Sequence, residues 1–182
     1  MSEDDTALTA MDVMRNVFDD AELAYEVDAE NECLRSEFAL SGVDVSVQCH
    51  GDNDSLVAVV ISFPVRAPVD TRHVVGEFLL RANYALSRQV WEMDFDDGEV
   101  RLRIHVDTCF GECLRPQVFR AVLDYVILMA EMYFPFLNAV MTRAMKPEFA
   151  LDQAQASYND RLVHDQEGGQ EDSGEGYGRS GF

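Results

Sequence analysis

A chain of 182 residues, 47% of them hydrophobic, carries enough apolar material for one domain with a proper core. Its 34 acidic residues against 14 Lys and Arg leave a formal net charge of −20, which repels phosphate backbones and anionic lipid surfaces. Nucleic-acid binding is excluded on that ground, while solubility and basic partners are favoured.

Met1-Ser2-Glu3-Asp4-Asp5 offers neither a basic region nor an apolar stretch, so no secretory signal is expected. The four cysteines, Cys33, Cys49, Cys109 and Cys113, are too few and too scattered for a disulfide framework. A reducing, cytoplasmic setting is the expectation.

Ala7, Met11, Met14, Val17, Phe18 and Ala21 recur at helical spacing and predict an amphipathic helix from about Thr6 to Leu23. Thr6 or Thr9 is its candidate cap, and Asp12 suits the positive end of its dipole. A meander comes next. Leu34, Ser36, Phe38 and Leu40 alternate with Arg35, Glu37 and Ala39, and Val43, Val45, Val47 and Cys49 alternate with Asp44, Ser46 and Gln48. A turn at Ser41-Gly42 pairs Leu40 with Val43, Phe38 with Val45 and Leu34 with Cys49, which puts both apolar sets on one face. The third strand, Leu56 to Phe63, is apolar on both faces, as expected of a central, covered position, and Pro64 and Pro68 end it.

A second helix is predicted from about Asp70 to Ser87, with Asp70 as N-cap and Val69 and Val74 as a hydrophobic staple. Asp97-Gly98 then joins two strands in a hairpin whose predicted register sets Trp91 against Ile104, Met93 against Leu102 and Phe95 against Val100. Pro116 opens a third helix that runs to about Met145, where Pro147 blocks its continuation. From Leu151 onward the chain turns polar and glycine-rich, and residues 150–182 are expected to be a disordered tail. The fold class is therefore α+β, in the order α-βββ-α-ββ-α. One domain spans residues 1–149, with helices packed on an antiparallel five-stranded sheet.

Chemistry-bearing constellations are sparse. Asp94-Phe95-Asp96-Asp97-Gly98 resembles a calcium loop, but the EF-hand pattern needs its glycine one position later, where Glu99 stands. Cys109 and Cys113, with His105 upstream, are candidate zinc ligands, yet a structural site needs four, and Cys33, Cys49 and His50 lie on another hairpin. No nucleophile motif, phosphate loop or His-Glu-x-x-His occurs, and the histidines do not cluster. No catalysis, no cofactor and no metal are expected.

Tyr125 to Met141 is apolar nearly all round, but Glu131, Pro135 and Asn138 interrupt it and it falls short of the roughly 20 residues a membrane span needs. A helix of this kind must be covered on several sides. One side can lie on its own sheet. A second copy of the chain, or a client protein, is the expected cover for the other. Tyr133, Phe134, Phe136, Leu137 and Val140 are the candidate partner or dimer contacts.

Three stretches carry a resemblance to a known family. Phe78 to Leu86, with Asn83 inside it, resembles the second helix of the YbjN-like family, which shares the type III secretion chaperone-like fold. The strand, acidic Asp-Gly turn and basic strand from Trp91 to His105 are similar to the hairpin that comes after that helix in the family. Met132-Tyr133-Phe134-Pro135-Phe136-Leu137 is similar to the family's aromatic-proline segment. The resemblance covers about Thr6 to Met145. It departs at Thr108 to Arg115, where Cys109 and Cys113 have no evident equivalent.

The resemblance implies a cytoplasmic, non-enzymatic module, often dimeric. Chaperones of this fold hold partly unfolded clients over apolar patches and strand edges. A homodimeric chaperone-like or adaptor protein is the leading expectation. A regulator of signalling or stress response, acting through a folded partner, is the alternative.

Overall fold

Thr9 starts the first helix. In the computed structural model, which describes residues 8–40, 42–52, 56–86, 88–107 and 114–168, helix α1 spans Ala10–Asp20. Thr9 Oγ1 accepts from the Asp12 N–H and the Asp12 carboxylate accepts from the Thr9 N–H, both at 3.1 Å, forming a capping box. Val13, Met14, Val17 and Phe18 form its buried stripe. The helix is shorter than the predicted span, because Ala21 caps it and Glu22 turns the chain at φ +54.

Among the described residues, six antiparallel strands make one sheet, in the order β1-β2-β3-β4-β6-β5. They are β1 (Glu26–Asp28), β2 (Cys33–Leu40), β3 (Val43–Asp52), β4 (Leu56–Arg66), β5 (Gln89–Met93) and β6 (Glu99–Asp107). The edge strand β1 adds to the predicted five. Its three residues, Glu-Val-Asp, are too few for an alternating pattern to show. Between β2 and β3 the predicted register holds throughout, from Leu40 opposite Val43 to Leu34 opposite Cys49. Gly42, at φ +81, supplies the left-handed turn conformation that glycine tolerates best.

Strand β4 is central, between β3 and β6, but among the described residues no helix lies over its second face. It also runs through Pro64 to Arg66, with an irregularity in its pairing to β6 between Ser62 and Arg66. Pro64 is exposed at that irregularity, where its missing N–H breaks no ladder.

The second hairpin forms two residues out of the predicted register: Trp91 faces Leu102, Met93 faces Val100 and Glu92 faces Arg101. A shift of two preserves the faces. The tight two-residue turn is replaced by a wider loop, in which the Asp94 N–H donates to Glu99 O at 2.9 Å and the Gly98 N–H to Asp94 O at 2.8 Å. The Asp94 and Asp97 carboxylates accept from the Asp96 and Glu99 N–H groups, so these acids build the turn. Phe95, predicted opposite Val100, is thrown out to 61% exposure.

Helix α2 (Arg72–Ala85) starts two residues later than predicted. Asp70 is not its cap; its carboxylate pairs with Arg143 at 2.6 Å, and Val69 is exposed rather than stapled. Arg72 instead reaches across the second hairpin loop, donating to the carbonyls of Phe95 at 2.7 Å and Asp96 at 3.1 Å.

Pro116 does open the long helix α3 (Pro116–Met141), which continues through Pro135. It stops before the predicted Met145 because Arg143 turns left-handed, at φ +58, and the N–H groups of Ala144 and Met145 fold back onto Ala139 O. Pro147 then begins a further helix, α4 (Pro147–Gly168). This corrects the expectation of a disordered tail from residue 150; residues 169–182 of that predicted tail lie outside the described residues. Ala150 and Ala154 are fully buried, and Leu151 and Tyr158 pack beside them.

The helices occupy one side of the sheet. Helix α1 lies over β2 and β3, α3 over β4 and β6, and α2 against β5, while α4 packs on the outside of α2 and α3. Phe134 stacks on Phe63 at 4.8 Å between ring centroids, Phe63 on Trp91 at 5.6 Å, and Trp91 leans on Tyr133 at 6.1 Å. This aromatic column fixes α3 on the sheet. By length and composition α3 would suffice to cross a bilayer, but here it is the central core helix, packed by the sheet and by helices α1, α2 and α4.

Candidate recognition surface

Strand pleating sorts the sheet residues into two sets. Leu34, Val47, Cys49, Val59, Ile61, Leu102 and Ile104 point into the helices and join the core. The alternate residues form ordered rows across the helix-free face. One row runs Asp28, Cys33, His50, Ala58, His105; the next runs Glu26, Arg35, Gln48, Val60, Arg103, Val90. A third runs Glu37, Ser46, Ser62, Arg101, Glu92.

The central strand contributes the short side chains, Ala58, Val60 and Ser62. Its neighbours contribute longer ones, Gln48 and His50 on β3 and Glu99, Arg101 and Arg103 on β6. The outcome is a hollow of about 310 Å³ floored by β4 and walled by β3 and β6. Val60 is only 8% exposed although it faces away from the helices, because the flanking side chains shield it.

Arginine dominates one wall. Arg101 Nε donates to Glu92 Oε2 at 2.7 Å, and Arg103 reaches the same oxygen at 3.0 Å. Two guanidiniums thus share one carboxylate oxygen. Arg103 Nε is buried and has no hydrogen-bond partner among the described residues. On the opposite wall, burial together with the charges of Arg35 and Arg103 holds the His50 imidazole below its ordinary pKa, against the opposing pull of Asp28.

Cys33 Sγ lies 3.8 Å from His50 Nε2. Burial pushes the Cys33 thiol up, while His50 is pushed down, so both shifts favour a neutral pair over the thiolate–imidazolium pair that nucleophilic catalysis uses. Cys49, the residue before His50 on β3, points to the other face, and burial raises its thiol strongly. Cys33 and Cys49 are therefore on opposite sides of the sheet. Among the described residues no group of three or more His, Cys, Asp or Glu is arranged to hold a metal ion. Cys109 and Cys113 lie outside the described residues, and His105 is exposed at the end of the first row.

The residues expected to contact a partner are placed elsewhere. Tyr133 and Leu137 are 0% exposed, Val140 1% and Phe134 4%, while Phe136 is half-buried against the same core. The first four are core residues rather than surface. The cover predicted to come from a second copy or a client comes from α4, which packs along α3 within the chain. The open sheet face is not visible in any strand taken singly. Alternation marks Gln48, His50, Arg101 and Arg103 as outward, but only the strand order sets them around one hollow.

A strand-edge site is also closed at one point. Asn83, from the stretch that resembles the family's second helix, accepts from the Trp91 N–H at 2.7 Å and donates to Trp91 O at 2.9 Å. The side-chain amide occupies the backbone groups that the edge strand β5 would otherwise offer there to an added strand.

A family model described as "Putative bacterial sensory transduction regulator", YbjN, matches residues 10–139. Among solved structures, "Crystal structure of YbjN, a putative transcription regulator from E. coli" is similar over 69% of this chain and 94% of that one, with TM-score 0.50 and 12% identity. No curated protein sequence matches the chain.

Proposed function

The chain belongs to the YbjN family, and on that premise we propose that it is a non-enzymatic regulatory adaptor, cytoplasmic, that acts by binding through the helix-free face of its sheet. One observation carries the reading: the face of α3 expected to meet a client is packed by the chain's own helix α4. At the β5 edge Asn83 adds to this at the single position of Trp91. The fold presents instead a polar, ordered surface with fixed arginines, suited to a folded partner or a small ligand.

The family description, a sensory transduction regulator, agrees with that role. The experiment is native purification of the tagged chain from its host, with stoichiometry from mass spectrometry and limited proteolysis of whatever co-purifies. A near-stoichiometric, protease-resistant partner supports the regulatory adaptor. A protease-labile partner would transfer the role to chaperoning.

A second reading has its own observation. Leu80 and Tyr84, one turn apart on α2, are 71% and 96% exposed. These side chains favour a protein contact on the helical side, including contact with a second copy of this chain. Sedimentation of the wild type against Tyr84→Ser tests it: a dimer converted to monomer supports this contact, and an unchanged mass removes it.

A further inference from the structure

We propose that the hollow on the helix-free face is a binding site for the carboxylate of a small organic acid or amino acid, received between Arg101 and Arg103. This deepens the reading of the sheet face as the recognition surface and rests on it.

Charge is the first ground. A chain with net charge −20 keeps two arginines on one wall of a hollow of about 310 Å³, a size that suits a compact molecule rather than a polymer. Two guanidiniums provide roughly ten N–H donors between them. Glu92 engages both through a single oxygen, which neutralises one positive charge, and Glu99 in the same lining balances the other. The hollow therefore suits a ligand of little or no net charge that brings its own carboxylate. Arg103 Nε remains buried without an acceptor, an arrangement that native proteins seldom leave uncompensated. A carboxylate supplies one negative charge and two acceptor oxygens. It also matches the ligand type this arginine pair already holds in Glu92.

A phosphate dianion fits less well. It would bring twice the charge into an already strongly negative molecule, beside Glu92 and Glu99, which already balance the arginine pair. Gln48 and Ser62 provide neutral hydrogen-bonding groups for the rest of the ligand, and Glu99 stands at the other end of the β6 wall. Glu99 would favour a ligand that carries an ammonium group as well, so an amino acid should bind more tightly than a simple acid.

The test is an NMR titration of the ¹⁵N-labelled full chain at constant ionic strength, monitoring the arginine Nε–H signals. Acetate and glycine are the probes, inorganic phosphate is the competitor, and Arg120 and Arg143 are surface controls. Saturable shifts confined to Arg101 and Arg103 are expected, with glycine tighter than acetate. Arg103→Gln should weaken binding at least tenfold and Arg120→Gln should leave it unchanged. Because Arg103→Gln also loosens Glu92, Arg103→Lys is the second variant. It keeps the charge but removes the planar fork, and it too should weaken binding.

Shifts that stay linear, or that match those of Arg120 and Arg143, would show only a general ion atmosphere and overturn the proposal. Phosphate binding more tightly than either carboxylate would overturn it as well. Acetate at least as tight as glycine would keep the carboxylate and remove the role of Glu99. None of these results bears on whether a protein partner co-purifies, so the adaptor reading stands or falls separately.

Discussion

Tyr133 shows how a single buried group shapes stability. Its side chain is fully buried in the aromatic column and its hydroxyl has no hydrogen-bond partner among the described residues. Burial, reinforced by Tyr125 and Tyr158, pushes the phenol up to about 12. In the unfolded chain it ionises near 10, so the unfolded state loses its proton first as pH rises. The contribution is intact below pH 10 and is lost on the way to about 12, amounting to on the order of 3 kcal/mol. Tyr133→Phe should therefore leave the urea midpoint unchanged or slightly higher at pH 8. It should also shrink the loss of stability between pH 9 and pH 11, measured by the same denaturation. Gly98 makes a second residue-scale prediction. It sits at φ +82, and a Cβ there would meet Ala67 O at 2.3 Å, against backbone that cannot swing aside. Gly98→Ala should cost about 2 kcal/mol or more, read as a lower thermal midpoint.

At the scale of elements, the interior pattern is legible in the sequence and the covering pieces are not. The β2–β3 register follows from alternation alone, because a one-residue slip would turn Leu34, Val45 and Val47 into solvent. The second hairpin is legible as a hairpin but not in its loop. Asp94 and Asp97 serve the turn with their side chains, and no alternation of apolar residues records that. Helix α4 is hidden for a different reason. Among its described side chains the buried ones are Pro147, Ala150 and Ala154, compact residues that admit close helix packing without a strong hydrophobic stripe, and its sequence reads as polar. Without α4 one face of α3 stands uncovered, and the expectation of a dimer grows from that gap. Ala154→Arg tests the cover: it should lift α4 from the core, cost at least about 2 kcal/mol and raise dye binding to exposed apolar surface, with the sheet signal retained. Asn83→Ala should cost about 1–3 kcal/mol by stripping Trp91 of both edge partners, and should raise aggregation at the β5 edge, measured by light scattering.

For the whole molecule, the strand order matters more than any one element. It sets β4, with its short outward side chains, between two strands with long ones, and so converts scattered polar residues into one walled surface. The helices cover the other side, with α4 packed on α2 and α3. Composition reveals the acidity but not its distribution, and the arginines of the open face stand against the charge of the chain as a whole. The most direct measurement compares the partner that co-purifies with the wild type, with Ser62→Trp, which fills the hollow without changing charge, and with Tyr84→Ser on the helical side. With all three folded by circular dichroism, loss of the partner from Ser62→Trp alone is the predicted result. Retention by Ser62→Trp together with loss from Tyr84→Ser would contradict the account and move recognition to α2.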